Sequence, residues 1–83
     1  MPHIYIIYSK KLDKYYLGAY INLQRRLYVH NIGHSKFTSH GLPWILKYSE
    51  SFATLPLAKK RELEIKKKKS RIYIEKLIGS SIG

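Results

Sequence analysis

Apolar residues along this chain fall into blocks whose periods differ, and the periods name the elements. Ile4 to Tyr8 is β-branched and aromatic on both parities, the signature of a short strand buried on both faces. Lys10 to Lys14 is a polar turn containing Asp13. Tyr15 to Tyr20 is a second apolar and aromatic run, so the two runs predict a hairpin. Gly18 inside the second run marks either a bulge or a close backbone approach. Asn22 is a candidate N-cap for a helix running to about Asn31, with Gly33 ending it. A polar loop, His34 to Pro43, follows. Trp44 to Phe52 alternates, with Trp44, Leu46, Tyr48 and Phe52 expected on one side and Lys47, Ser49 and Ser51 on the other, a third strand. Thr54 and Pro56 open a helix expected to reach about Lys67. Ser70 can cap a last helix from Arg71 to Ile78, closed by Gly79. The pattern predicts an α+β fold: a three-stranded antiparallel sheet flanked by helices, in the order β-β-α-β-α-α.

Helical geometry singles out residues that the apolar pattern does not explain. Successive helix residues turn by about 100°. In the first helix Leu23 and Leu27 define the buried stripe, with His30 beside them and Arg26 at the edge; Arg25 points away. Arg26 and His30, four residues apart, therefore sit on the side that meets the sheet. The plain alternative is an arginine whose stem covers apolar surface and a packed, hydrogen-bonded histidine. In the next helix Leu55, Ala58 and Ile65 form the stripe. Glu62 falls inside it, whereas Glu64 projects the opposite way. A carboxylate facing a core is costly unless it is paired or binds a metal. Arg26 or another cation is the candidate partner.

At 83 residues the chain has room for one small domain, expected over residues 1–83. Charge narrows the partner. Lysine and arginine number 16 against 5 acidic residues, a formal net charge of +11. Nine of the 16 basic groups lie within residues 56–78: Lys59, Lys60, Arg61, Lys66, Lys67, Lys68, Lys69, Arg71 and Lys76. Such a density favours a polyanion, since each cation placed near a phosphate releases condensed counterions. A solvated face is the plainer account of any charge run. Disorder is disfavoured by the 45% hydrophobic content and eight tyrosines. The apolar runs are too short to span a bilayer, and no membrane partner is expected. The absence of cysteine excludes disulfides, thiol catalysis and zinc knuckles. Met1-Pro2-His3 lacks the pattern of a signal peptide, so a cytoplasmic protein is expected.

Taken together, these positions resemble the GIY-YIG endonucleases. His3-Ile4-Tyr5 stands where the family has Gly-Ile-Tyr, and Tyr16-Leu17-Gly18 is the second motif, with ten residues between Tyr5 and Tyr16. Arg26, eight residues after Gly18, matches the family's helix arginine, and His30 stands where the family has histidine or tyrosine. Ala58 to Lys67 resembles the family's second helix, with Glu62 as its metal-binding glutamate. The resemblance covers residues 3–78 and is nearest to small members related to the N-terminal nuclease domain of the bacterial excision-repair incision protein. Ala19 departs from those relatives that carry lysine after the second motif.

The resemblance implies a phosphodiester hydrolase acting on DNA, with RNA as the other candidate, in the setting of DNA repair. It implies one Mg²⁺ or Mn²⁺ on Glu62, phosphate contact by Arg26, and Tyr5 as base or proton relay, with nearby cations needed to activate it. His30 would assist and Tyr16 orient. The products would carry 5′-phosphate and 3′-hydroxyl ends. The basic groups from Lys59 to Arg71 are expected on the nucleic acid, and a protein partner is a candidate source of specificity. The alternative is a basic nucleic-acid-binding module without turnover. Oligomeric state is not legible.

Overall fold

The computed structural model describes residues 1–32 and 39–82, without the side chains of His30, Ser81 and Ile82. In chain order the elements are β1 (His3–Ser9), β2 (Lys14–Tyr20), α1 (Leu23–Asn31), β3 (Trp44–Ser51), α2 (Leu55–Lys68) and α3 (Arg71–Ile82). This is the predicted β-β-α-β-α-α order. The sheet runs β2-β1-β3, antiparallel at both junctions.

β1 is central because both of its faces are apolar. Ile4, Ile6 and Ile7 are fully buried and Tyr5 is 1% exposed. Ile4 and Ile6 join Leu17 of β2 and Ala58 and Ile65 of α2, with Ile74, Leu77 and Ile78 of α3 packed against them. Tyr5 and Ile7 face the other way, into a cluster with Trp44 that Leu23 and Leu27 of α1 cover. The sheet is thus sandwiched, with α2 and α3 on one face and α1 on the other.

The hairpin turn has Asp13 at φ 52°, a left-handed position that aspartate tolerates better than most residues. Tyr8 Oη donates to Asp13 Oδ1 at 2.6 Å, and Arg71 of α3 reaches the same carboxylate at 2.7 Å. Asn22 caps α1 as predicted, its Oδ1 accepting from Arg25 N at 3.1 Å. Ser70 caps α3, accepting from Tyr73 N at 3.1 Å. Among the described residues no helix is long and apolar enough to cross a membrane.

Two expectations are corrected. β3 does not present Trp44, Leu46, Tyr48 and Phe52 on one side. Ile6 pairs with Tyr48 but Ile7 pairs with Leu46, so Lys47 is an extra residue in a bulge. A bulge reverses the side-chain parity downstream. Trp44 therefore joins the α1 face, Tyr48 and Phe52 join the α2/α3 face, and Leu46 is 38% exposed. Secondly, α3 does not close at Gly79 but continues to Ile82. A glycine weakens a helix by about 1 kcal/mol without ending it, and Leu77 and Ile78 anchor this turn on the core. The expected stop at Gly33 and the first half of the following loop, residues 34–38, lie outside the described residues.

Candidate active site

The hairpin register creates the site. Tyr5 of β1 lies directly opposite Gly18 of β2, and in an antiparallel pair such partners project from the same face. A Cβ at Gly18 would stand 2.6 Å from Tyr5 Cζ and 3.1 Å from Cε1. Glycine is therefore required: the phenol lies across the neighbouring strand, in the space a side chain would fill. Of the two readings of Gly18, the close approach is the observed one. Tyr16, two residues before Gly18, shares the face. Its ring stacks near Tyr5 at a centroid distance of 6.4 Å and meets Trp44 edge-on at 6.3 Å.

α1 adds the cation. Packing of Leu23 and Leu27 on the Tyr5 face aims Arg26 along the sheet. Its Nε donates to Tyr5 Oη at 3.3 Å, and its guanidinium stands 5.2 Å from the centre of the Tyr20 ring. The Tyr5 hydroxyl strengthens the hold of Arg26 on its proton, so this arginine is a fixed positive charge. For Tyr5 the balance runs the other way. Burial raises its pKa, and the bond and charge of Arg26 do not offset that, while Tyr16 and Glu62 raise it further. At neutral pH the phenol keeps its proton.

α2 brings Glu62 near enough for its charge to act on Tyr5. Its side chain is only 19% exposed, in keeping with its place in the stripe. Its partner is Lys66, whose Nζ lies 2.6 Å from Oε2, and not Arg26. Lys66 is thus the other cation that the sequence left open, and a Glu-to-Lys spacing of four is the favoured orientation on a helix. His30 lies one turn beyond Arg26 in α1; its side chain is outside the described residues.

The basic residues divide by what they touch. Lys59, Lys60, Lys67, Lys68 and Lys69 are exposed, with the Lys68 ammonium 5.6 Å from the centre of the Tyr73 ring. Arg61 is engaged within the fold: Nε and Nη2 each lie 3.2 Å from Glu50, and Nη1 lies 3.5 Å from Glu64. Arg71 bridges Asp13 and Glu75 and stacks over Tyr15. Charge alone could not separate these structural arginines from the exposed lysines. Three further contacts were not read from the sequence. Tyr20 lies under Arg26, and Trp44 lies against Tyr16. Asn31 also accepts from Trp44 N at 2.8 Å and donates to Trp44 O at 3.2 Å, pinning the end of α1 to the start of β3.

Among the described residues no group of three or more histidines and carboxylates gathers. The donor set is one carboxylate, Glu62, with Lys66 on one of its oxygens. Mg²⁺ commonly takes one or two carboxylates and completes its shell with water and substrate phosphate. A single, partly exposed glutamate fits that coordination.

Residues 1–76 match the family model of the GIY-YIG catalytic domain. A UPF0213 protein of Halobacterium salinarum is 37% identical over 67 residues, a stretch spanning 80% of this chain and 86% of that protein. No solved structure matches the chain.

Proposed function

Since the chain belongs to the GIY-YIG family of nucleases, we propose that it is a divalent-metal-dependent endonuclease that hydrolyses DNA phosphodiester bonds to 5′-phosphate and 3′-hydroxyl ends. The observation that carries this assignment is the buried Tyr5 hydroxyl, seated over Gly18 and held by Arg26 at 3.3 Å. A buried phenol joined to a fixed cation in an aromatic setting is an arrangement suited to handling a proton beside an anion.

Arg26 has one N–H on Tyr5, and its planar fork offers further donors to a phosphate oxygen. Charge developing on the phosphoryl group is stabilised by such a preorganised donor. Tyr5 orients the attacking water by accepting its hydrogen. Because the phenol is protonated at rest, it holds and orients this water, and it takes the water's proton only as phenolate, once further positive charge in the substrate complex lowers its pKa. Tyr16 supports the Tyr5 ring and lines the approach. His30, one turn from Arg26, is assigned by family likeness to assist in positioning water. Glu62 would hold one Mg²⁺ or Mn²⁺, which when bound supplies Lewis-acid charge at the scissile phosphate and the departing 3′ oxygen.

The test is nicking of labelled duplex, single-stranded, flap and branched DNAs with Mg²⁺ or Mn²⁺, beside chelator and Glu62→Ala controls. Metal-dependent cleavage that Glu62→Ala abolishes is the expected outcome. Cleavage that persists in chelator or in Glu62→Ala refutes the assignment. A second possibility, a binding module without turnover, is favoured by one feature: Lys66 already neutralises Glu62 at 2.6 Å. Salt-sensitive binding with no cleavage of any of these DNAs would select it.

A further inference from the structure

A cavity of about 350 Å³ opens at the corner between α2 and α3, walled by Tyr15 and Leu17 of β2, Ile65 and Lys66 of α2, Lys69 and Ser70 of the corner, and Arg71 and Ile74 of α3. It lies apart from the Tyr5 face, since Leu17 and Ile65 belong to the opposite core cluster. One residue joins the two regions. Lys66 forms part of the cavity wall, and its ammonium touches the Glu62 carboxylate.

Lys69 is the anomaly of this corner. It caps α2 with φ 47° and ψ 40°, the left-handed conformation that glycine adopts without steric cost and that helices commonly fill with glycine. Here a lysine occupies the position. Its side chain is exposed, and among the described residues it has no ion pair. The backbone strain is thus accepted at a position where the exposed cation contributes nothing visible to the fold. The floor below it is apolar, from Leu17, Ile65 and Ile74. A cationic lip over an apolar floor, at the lower end of the roughly 300–1,000 Å³ range of small-ligand pockets, suits one phosphate with its attached sugar and base.

We infer that this corner cavity receives a nucleotide of the substrate strand away from the one being cut, with Lys69 on its phosphate and Tyr15, Ile74 and the edge of Leu17 against its sugar and base. The inference rests on the nuclease assignment for its substrate class.

The test separates side chain from backbone. Lys69→Gly removes the cation while placing at φ 47° the residue that fits it, so its thermal midpoint should equal or exceed that of the intact chain. Binding of a fluorescently labelled mixed-sequence DNA oligonucleotide is followed by anisotropy in chelator across a salt series. Loss of one phosphate contact should lower the slope of log Kd against log salt by about 0.9 and weaken binding about fivefold at 0.15 M salt. Lys11→Gln, the same charge lost from the hairpin turn, should change the slope by less. Equal effects of the two variants, or no effect of Lys69→Gly, overturn the inference. In a second arm, methyl NMR with thymidine monophosphate should shift Ile74 and Leu17, whereas inorganic phosphate alone should not. Identical shifts from both ligands overturn the nucleotide assignment. Cleavage measured in parallel distinguishes the two failures. A chain that cuts DNA while Lys69→Gly binds normally loses only the cavity. A chain that never cuts, yet binds fivefold less well with Lys69→Gly, keeps the cavity and loses the nuclease.

Discussion

Gly18→Ala asks the fold for space it does not have. The new methyl would stand 2.6 Å from Tyr5 Cζ and closer still to Oη. Tyr5 cannot swing aside freely, being 1% exposed, stacked near Tyr16 and packed with Ile7 and Trp44. Overpacking of this kind costs about 1–3 kcal/mol. Contacts this short against a buried ring belong to the upper half of that range, about 2–3 kcal/mol. Removing a glycine from the unfolded chain returns up to about 1 kcal/mol, which leaves a net loss of roughly 1–2 kcal/mol or slightly more. For a domain of this size that lowers the thermal midpoint by about 4–16 °C. Any ring displacement also breaks the 3.3 Å bond from Arg26, so cleavage should fall more than stability explains. The assay is a double-mutant cycle by urea unfolding. In a Tyr5→Leu background, where the phenol is gone, Gly18→Ala should cost at least 1 kcal/mol less than in the intact chain. A Gly18→Ala chain with stability within 0.5 kcal/mol of the parent, or equal costs in both backgrounds, would show that the close approach does not govern this position.

Further outcomes follow from the same contacts. Glu62→Ala should lower cleavage at least about 100-fold while shifting stability by under about 1 kcal/mol, since its partner Lys66 is half exposed; circular dichroism melts beside a nicking assay check both. Arg26→Lys keeps the charge but loses the planar fork, so cleavage should fall roughly 100-fold with binding affinity nearly retained, a split read by comparing kcat with Kd. Burial pushes the Glu50 carboxyl up, but the Tyr48 hydroxyl and the Arg61 guanidinium together outweigh burial and hold it below the ordinary range. The folded chain therefore binds that proton less readily than the unfolded chain. The stabilisation is present above about pH 4.3, the reference value of glutamate, and is lost as pH falls through the lower folded value. Urea midpoints from pH 6 to pH 3 should decline, and Glu50→Gln should flatten the decline in part, Asp13 being lowered too by Arg71 and Tyr8.

Much of the site was legible one residue at a time. Arg26 and Glu62 stood out because charged groups fell in or beside apolar stripes, and helix periodicity is strict enough to expose that. Gly18 stood out because glycine weakens a strand unless something needs the space. The partners were less legible. Glu62 was expected to pair with Arg26 or another cation, and of these the partner is the local one, Lys66 on the next turn. The lysine and arginine run read as one patch, but Arg61 and Arg71 are drawn inward by Glu50 and Asp13, acids 11 and 58 residues away. The strand alternation of β3 failed at one inserted residue, Lys47, because period-two patterns carry no mark of where a bulge falls.

By itself the sequence determined the elements, their order and, outside β3, the residues facing the core, because backbone propensity and burial act over a few neighbouring positions. It also determined the chemistry on offer: a strongly basic surface, two aromatic motifs, one inward arginine and one inward glutamate. Tertiary structure decided which of these groups meet. The β1–β2 register set Tyr5 over Gly18, the docking of α1 brought Arg26 to the phenol, and burial there left Tyr5 protonated. Distances and proton affinities of that kind depend on how elements far apart in the chain come to lie side by side, and no local pattern records them.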